Sequence, residues 1–515
     1  MRIGIDLGTT RTVVAFSDRG NVPVVGFSTE AGDVVDHIPT VSAVAPDGAL
    51  VHGHRAETLA RQGAPHLRSW KRLLGRFGPE HRVQMGGVDV GLLDLATDFV
   101  RHLGEELRAR SNLPPVDALP EAVVSVPAHA RSSQRFATLE AFRRAGFAVR
   151  ALVNEPSAAA LEYAHRYQGK LNRKRDHVLV YDLGGGTFDA ALVTVRGGDH
   201  DVVDTSGIAE LGGDDFDAVL LTLALERAAI PLAEVRPHLP GLLDACREAK
   251  EAIGPNTRRV AVDLSPFDEH VGPVFVPVAD YYDRLRPYIE HTLTALHRVM
   301  APDVEGDGHG ALEALKRDAA EAGVAGVYVV GGGSGLPIVS RILRERFGHR
   351  VQRSVHPSAS TAMGLAIAAS EMDAPGLHER FTRHLGVFRE QRAGRWVSFD
   401  PIFARGTPVP APGEPPLVRR RRYRPAHNIG HFRFVECGHL DGEGQPQGDV
   451  SPHGVVFFPY DRGLRHRDRF QDEDVARLEG VGPPIEERYE VDATGAVQVV
   501  IFDCENGFER RYRLG

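Results

Sequence analysis

The sequence predicts an α/β protein built of two related halves and followed by a smaller β-rich region. Three observations carry this expectation. "IGIDLGTTRTVVA" at residues 3–15 runs strand, Asp-Leu-Gly, hydroxyl residues, strand, and "LVYDLGGGTFDAALV" at 179–193 repeats the order. Aligning Asp6 with Asp182 places Gly8 on Gly184, so the chain carries a duplicated hairpin, which implies two halves facing each other. "GVYVVGGGSGLPIVSRILRERF" at 326–347 reads as a buried strand, a glycine turn and a helix with Pro337 in its first turn. Near the end, "DATGAVQVVIFD" at 492–503 reads as a turn followed by an alternating strand.

Length and composition set the frame. A chain of 515 residues suggests two to four domains, and 42% hydrophobic with 25% charged residues is ordinary for a soluble globular protein. A net charge of −8 carries no nucleic-acid footprint. Cys246, Cys437 and Cys504 have no short pairing, which argues against a disulfide framework or a zinc site and fits a reducing compartment. The opening "MRIGIDLGTT" has an acid at Asp6 and no continuous apolar run, so the expectation is a cytoplasmic protein without signal peptide or membrane anchor. The 24 histidines lack metal-ligand spacing, and those of "HGH" at 52–54 and "RHRD" at 465–468 read as surface residues.

The glycines point to chemistry. A tight hairpin needs one or two, because only residues forced to positive φ profit from lacking a Cβ. Gly184, Gly185 and Gly186 in succession therefore mark either a flexible turn or a backbone that something approaches closely. Their amides, with those around Gly8, can form an anion-binding concavity, to which Thr9, Thr10 and Thr187 add hydroxyl donors. Asp6 and Asp182, each at a strand end, can hold a hydrated Mg²⁺. The loop Gly331, Gly332, Gly333 before a helix N-terminus makes a further nucleotide site.

Taken together the segments resemble the heat-shock-protein-70 chaperones, within the actin and sugar-kinase ATPase superfamily. "IGIDLGTT", "AVVSVPAHARSSQRFATLEAFRRAGFAVRALVNEPSAAALEYA" at 122–164, "VYDLGGGTFD", "ELGGDDFD" at 210–217 and "VVGGGSGLP" occur in the family's order and cover most of residues 1–370. The resemblance implies a two-lobed actin-like ATPase domain of duplicated ribonuclease H-like halves over 1–372, a linker over 373–386, and a small all-β, sandwich-like, peptide-binding domain over 387–515. It implies Mg²⁺ and ATP or ADP as cofactors. Lys71 would steady the attacking water and the γ-phosphate, Glu155 and Asp182 would orient water and metal, and Asp6 would complete the metal environment. Thr9 and Thr187 would contact phosphate, Gly212, Gly213 and Lys250 would line the nucleotide, and Pro127 and Arg135 would relay its state. Unfolded or extended polypeptide segments, a J-domain co-chaperone and a nucleotide exchange factor are the implied partners, with no nucleic acid and no membrane.

Departures from the family pattern matter as much. Glu251 in "CREAKEAIGPNT" and Gly335 in "GGGSG" stand where the family has two arginines that sandwich adenine, and Gly254 replaces a usual serine. Weak base selectivity is expected, with Glu251→Arg and Gly335→Arg tightening adenine binding. "EMDAPGLHERFTRHLGVF" at 371–388 lacks the family's short leucine-rich acidic linker, and no amphipathic helical segment follows the β-region before Gly515, so a lidless member is expected. Arg419 to Arg422 read as a solvated loop or as a surface for acidic partner segments. Two other classes stay open beside the ATP-dependent chaperone: a nucleotide-sensing interaction module and a small-molecule kinase.

Overall fold

The structure, a computed structural model, describes residues 1–29, 32–114, 118–167, 171–172, 175–196, 199–300, 315, 317–370, 377–391 and 395–514. They fall into two compact units: Met1–His129, Glu140–Val149 and Val153–Leu377 form the first, and Ala130–Leu139, Arg150–Leu152 and His378–Gly515 the second. The linker expected over 373–386 lies partly outside the described residues.

In the first unit, each of two sheets centres on one of the repeated hairpins. Arg2–Leu7 and Arg11–Phe16 pair antiparallel, with Asp6 opposite Val13 and Leu7 opposite Thr12, and Glu121–Val126 lies parallel to Arg2–Leu7. His177–Leu183 and Phe188–Arg196 pair antiparallel with Asp182 opposite Asp189. Val324–Val330 lies parallel to His177–Leu183, and Val351–Arg353 parallel to Val324–Val330. The parallel strands read as continuous apolar runs because both faces are covered: Ile3, Ile5, Val178, Leu179 and Val180 have no exposed surface. Asp6 and Asp182 thereby occupy matching next-to-last positions of equivalent strands.

Small residues bring the helices close. Helix Ser360–Ser370 packs on helix Glu155–Arg166 so tightly that a Cβ on Gly364 would come within 1.8 Å of the Ala158 carbonyl oxygen. Glu155 opens the second of these helices, with Pro156 following it in the first turn. Helix Trp70–Phe77 is anchored by Trp70, fully buried with its ring 5.4 Å from that of Phe99.

His52, expected at the surface, is a core residue. Antiparallel pairing sets it opposite Ser42, whose hydroxyl lies 2.9 Å from Nδ1, and its ring packs against Phe99 and His102. Burial pushes its pKa down to about 3 and that of His102 down to about 4, so both stay neutral in the fold. A lowered folded-state pKa gives stability that is fully present above pH 6.5 and drains as pH falls toward the folded value. For His102 this loss is about 2 kcal/mol between pH 7.5 and 5. Melting curves at the two pH values should therefore show a smaller acid drop in His102→Gln than in wild type; equal drops would refute the assignment.

The second unit contains two four-stranded antiparallel sheets. The first orders Trp396–Phe403, His384–Gln391, Ile429–Cys437 and Ser451–Pro459; the second orders Leu417–Tyr423, Ile485–Val491, Val497–Asp503 and Glu509–Leu514. One apolar core takes residues from both, among them Val387, Phe434, Phe458, Tyr489, Val499 and Ile501. Arg419–Arg422 form part of a strand, not a loop. Arg420 and Arg422 pair with Glu486, and Arg421 grips Asp400 at 2.8 Å, so three of the four charges are engaged within the unit.

Candidate active site

Parallel strands leave their carboxyl ends at one edge of a sheet, where open α/β folds bind ligands. In the first unit a cleft of about 340 Å³ opens at those ends. It brings together Asp6, Gly8, Thr9, Thr10, Glu155, Asp182, Gly184, Gly185, Thr187, Gly213, Lys250, Gly331, Gly332 and Gly333. Gly186 and Gly212 stand just behind that lining: a Cβ on Gly186 would meet Thr9 and Arg72, and one on Gly212 the Gly185 carbonyl. Gly331 has a φ of +83°, a left-handed conformation that favours glycine. Any Cβ there would also fall 2.4 Å from an Asp182 carboxylate oxygen.

Lys71 is not part of that lining and is linked to it through Glu155. It is only 4% exposed, and its Nζ donates to Glu155 Oε1 at 2.7 Å. The residue before its helix, Ser69, adopts a left-handed φ of +53°, unusual for a side-chain-bearing residue, and donates its hydroxyl to Asp214 at 2.5 Å. Burial alone would favour loss of the lysine's proton, but Glu155 and then Asp6 outweigh it and hold the ammonium charged.

Negative charge is in excess around it. Burial, then the Glu155 carboxylate, pushes Asp6 up to about 7, although Ser125 donates a 2.6 Å hydrogen bond to it. Asp182 is raised well above the ordinary carboxylate range by burial and by Glu155. Asp189, which accepts from the Ala128 amide at 2.9 Å, is pushed up to about 7 by the same two causes. Three buried carboxylates, Glu155, Asp182 and Asp189, and the half-buried Asp6 around one ammonium suit a divalent cation. No set of three metal-ligating side chains among the described residues is arranged to hold one directly. Asp6 and Asp182 fit Mg²⁺, which keeps several waters and takes one or two carboxylates plus phosphate oxygens.

Lys250 is half-buried, pairs with Asp217 at 2.7 Å and donates to the Gly213 carbonyl at 2.7 Å. Pro127 and Arg135 lie outside the cleft. Pro127 is buried after strand Glu121–Val126, and Arg135 belongs to the second unit, where Glu379 and Glu436 face its charge.

Among the lining or supporting residues that sequence reasoning missed are Asp189, Arg11, Arg247 and Arg353. Asp189 had a signal, as the last residue of "GGTFD" and the cross-strand partner of Asp182. Arg11 had one too, next to Thr10 in the first hairpin, and Arg247 lies in the segment of Lys250, whereas only the fold brings Arg353 to the cleft. Two of these arginines stand beside residues 251 and 335. Glu251 takes an ion pair from Arg11 at 3.0 Å, and a Cβ at Gly335 would stand 3.4 Å from Arg353 Nη2. Arginines introduced at both positions would therefore set like charges against each other.

The family model described as "Hsp70 protein" matches residues 105–375. The chain is 30% identical over 531 residues to the chaperone protein DnaK of Thermotoga maritima, an alignment covering 99% of this chain and 79% of that protein. It is 28% identical over 536 residues to DnaK of Deinococcus radiodurans, covering 98% and 78%. A chaperone protein HscA homolog of Polynucleobacter asymbioticus is 31% identical over 382 residues, covering 71% of this chain and 57% of the homolog. Among the described residues no helix is long and apolar enough to cross a membrane.

Proposed function

The chain belongs to the Hsp70 family, and from that premise we propose that it is an ATP-dependent chaperone whose slow, Mg²⁺-dependent hydrolysis of ATP switches its hold on extended polypeptide segments. One observation carries the reading: the buried Lys71–Glu155 pair set among Asp6, Asp182 and Asp189. Phosphoryl transfer to water asks little covalent chemistry of a protein and is helped by positioning and charge neutralisation.

In this reading the backbone amides of Gly8, Gly184, Gly185 and Gly331–Gly333 receive the phosphates, and Thr9, Thr10 and Thr187 donate hydroxyl hydrogen bonds. Lys71 holds its positive charge toward the γ-phosphate, while Glu155 keeps the ammonium oriented and accepts from the attacking water. Mg²⁺, held by Asp6 and Asp182 through water, supplies neutralisation of phosphate charge. Residues 1–372 form the two-lobed actin-like ATPase domain, and the two-sheet region over 387–515 is a sandwich that holds polypeptide. Pro127 and Arg135 serve communication between nucleotide state and that region. Family membership supports a J-domain co-chaperone and a nucleotide exchange factor as partners.

The purified protein is expected to bind ATP and ADP in calorimetry and to hydrolyse ATP only with Mg²⁺. It should also release a fluorescent unfolded peptide faster with ATP than with ADP. Binding without any Mg²⁺-dependent turnover would overturn the enzymatic part. Release indifferent to nucleotide would overturn the switch.

A further inference from the structure

We propose that Arg353 is the residue that stacks on the nucleotide base, making it a specificity determinant of the cleft. This rests on the nucleotide reading given above.

Arg353 ends the strand Val351–Arg353 and sits opposite Val329 in a parallel ladder, so it emerges at the carboxyl edge of the sheet beside the glycine loop. Its guanidinium lies within contact distance of where a Cβ at Gly335 would stand, with Nη2 3.4 Å from that position. Gly335 does not have a positive φ, so the backbone there does not demand glycine, and the missing side chain leaves room for the arginine.

The other cleft arginines are already engaged. Arg11 pairs with Glu251 at 3.0 Å, and Arg247 with Asp214 at 3.1 Å. Arg353 has no acid partner among the described residues, although it lines the same cleft. Ile253 and Leu336, 6% and 5% exposed, line it too. A planar, weakly hydrated cation beside aliphatic side chains is chemistry for a flat uncharged ring, whereas the glycine amides are chemistry for phosphate. A cation over an aromatic face strengthens binding by about 2- to 30-fold.

Calorimetry on the full chain with Mg²⁺ separates base contact from charge attraction by using two ligands, ADP and inorganic tripolyphosphate. Arg353→Ala should weaken ADP about 2- to 30-fold and leave tripolyphosphate within about twofold, with Arg353→Lys falling between. Unliganded melting points should match, since the side chain is exposed. Gly335→Arg in the wild-type background should give no gain in ADP affinity. Equal weakening of both ligands in Arg353→Ala would overturn stacking in favour of simple charge attraction. Unchanged ADP affinity would remove Arg353 from the site. Wild type binding neither ADP nor ATP would instead overturn the nucleotide reading itself, and this assignment with it.

Discussion

Lys71→Ala is expected to lower single-turnover ATP hydrolysis by about two to three orders of magnitude while ADP affinity changes by less than about tenfold. The ammonium is 4% exposed and held 2.7 Å from Glu155, so its charge acts where water does not screen it. Charge builds on the transferred phosphoryl group during the reaction, and a group that meets that charge stabilises the transition state more than bound nucleotide. In the proposed reading, ground-state affinity comes mainly from the glycine amides and threonine hydroxyls, which the substitution does not touch. Removing the lysine also leaves Glu155 without its ion pair beside Asp6 and Asp182. Lys71→Met, which keeps the side-chain volume, should match the alanine variant in hydrolysis and shows that a cavity is not the cause. Parallel loss of binding and turnover, in both variants, would sink the assignment.

How much of this was legible in the sequence depended on how local each signal was. The duplicated hairpins could be read because strand, acid and glycines are contiguous, and the pairing of Asp6 with Val13 and Asp182 with Asp189 follows from those short segments. Lys71 could be found only through its flanking resemblance, because a lysine in a helix turn is ordinarily solvated and its burial is decided by Trp70, Phe99 and Glu155. Arg353 was invisible: its place comes from the register of a three-residue strand against Val327–Val329. His52 was misread because nothing in "VHGH" shows that Ser42 and Phe99 will enclose it. Arg419–Arg422 hid their alternation, since a period-two pattern cannot be seen when every residue is the same. The strand places Arg421 against Asp400 and turns its neighbours to Glu486.

Arg389→Met is expected to destabilise the second unit by about 3–5 kcal/mol, and the added change Glu487→Leu is expected to recover most of that loss. The strand Ile485–Val491 alternates strictly, with Ile485, Tyr489 and Val491 buried, and the same alternation carries Glu487 into the core with no exposed surface. Its carboxylate is satisfied there by Arg389 Nη1 at 3.1 Å and Nη2 at 2.6 Å, and by the Tyr489 hydroxyl at 2.6 Å. Burial works against the guanidinium's charge, but the hydrogen bonds and charge of Glu487 outweigh it and hold Arg389 protonated. Arg389 also donates Nε to Asp400 at 2.6 Å, yet Asp400 keeps Arg421 at 2.8 Å when Arg389 is gone. The single substitution therefore leaves one buried carboxylate with only the neutral hydroxyls of Tyr489 and Tyr423 as donors, and the cost is that of an uncompensated charge. The double substitution removes both charges and fills the space with apolar side chains, which is often neutral against a buried pair. Native-state hydrogen exchange of the amides in strand Val497–Asp503, which belongs to this unit, gives both values. A single-variant loss below about 1 kcal/mol, the range of an exposed pair, would show that water reaches Glu487. A double variant no more stable than the single would show that the ion pair itself, and not relief of a stranded charge, holds these sheets together.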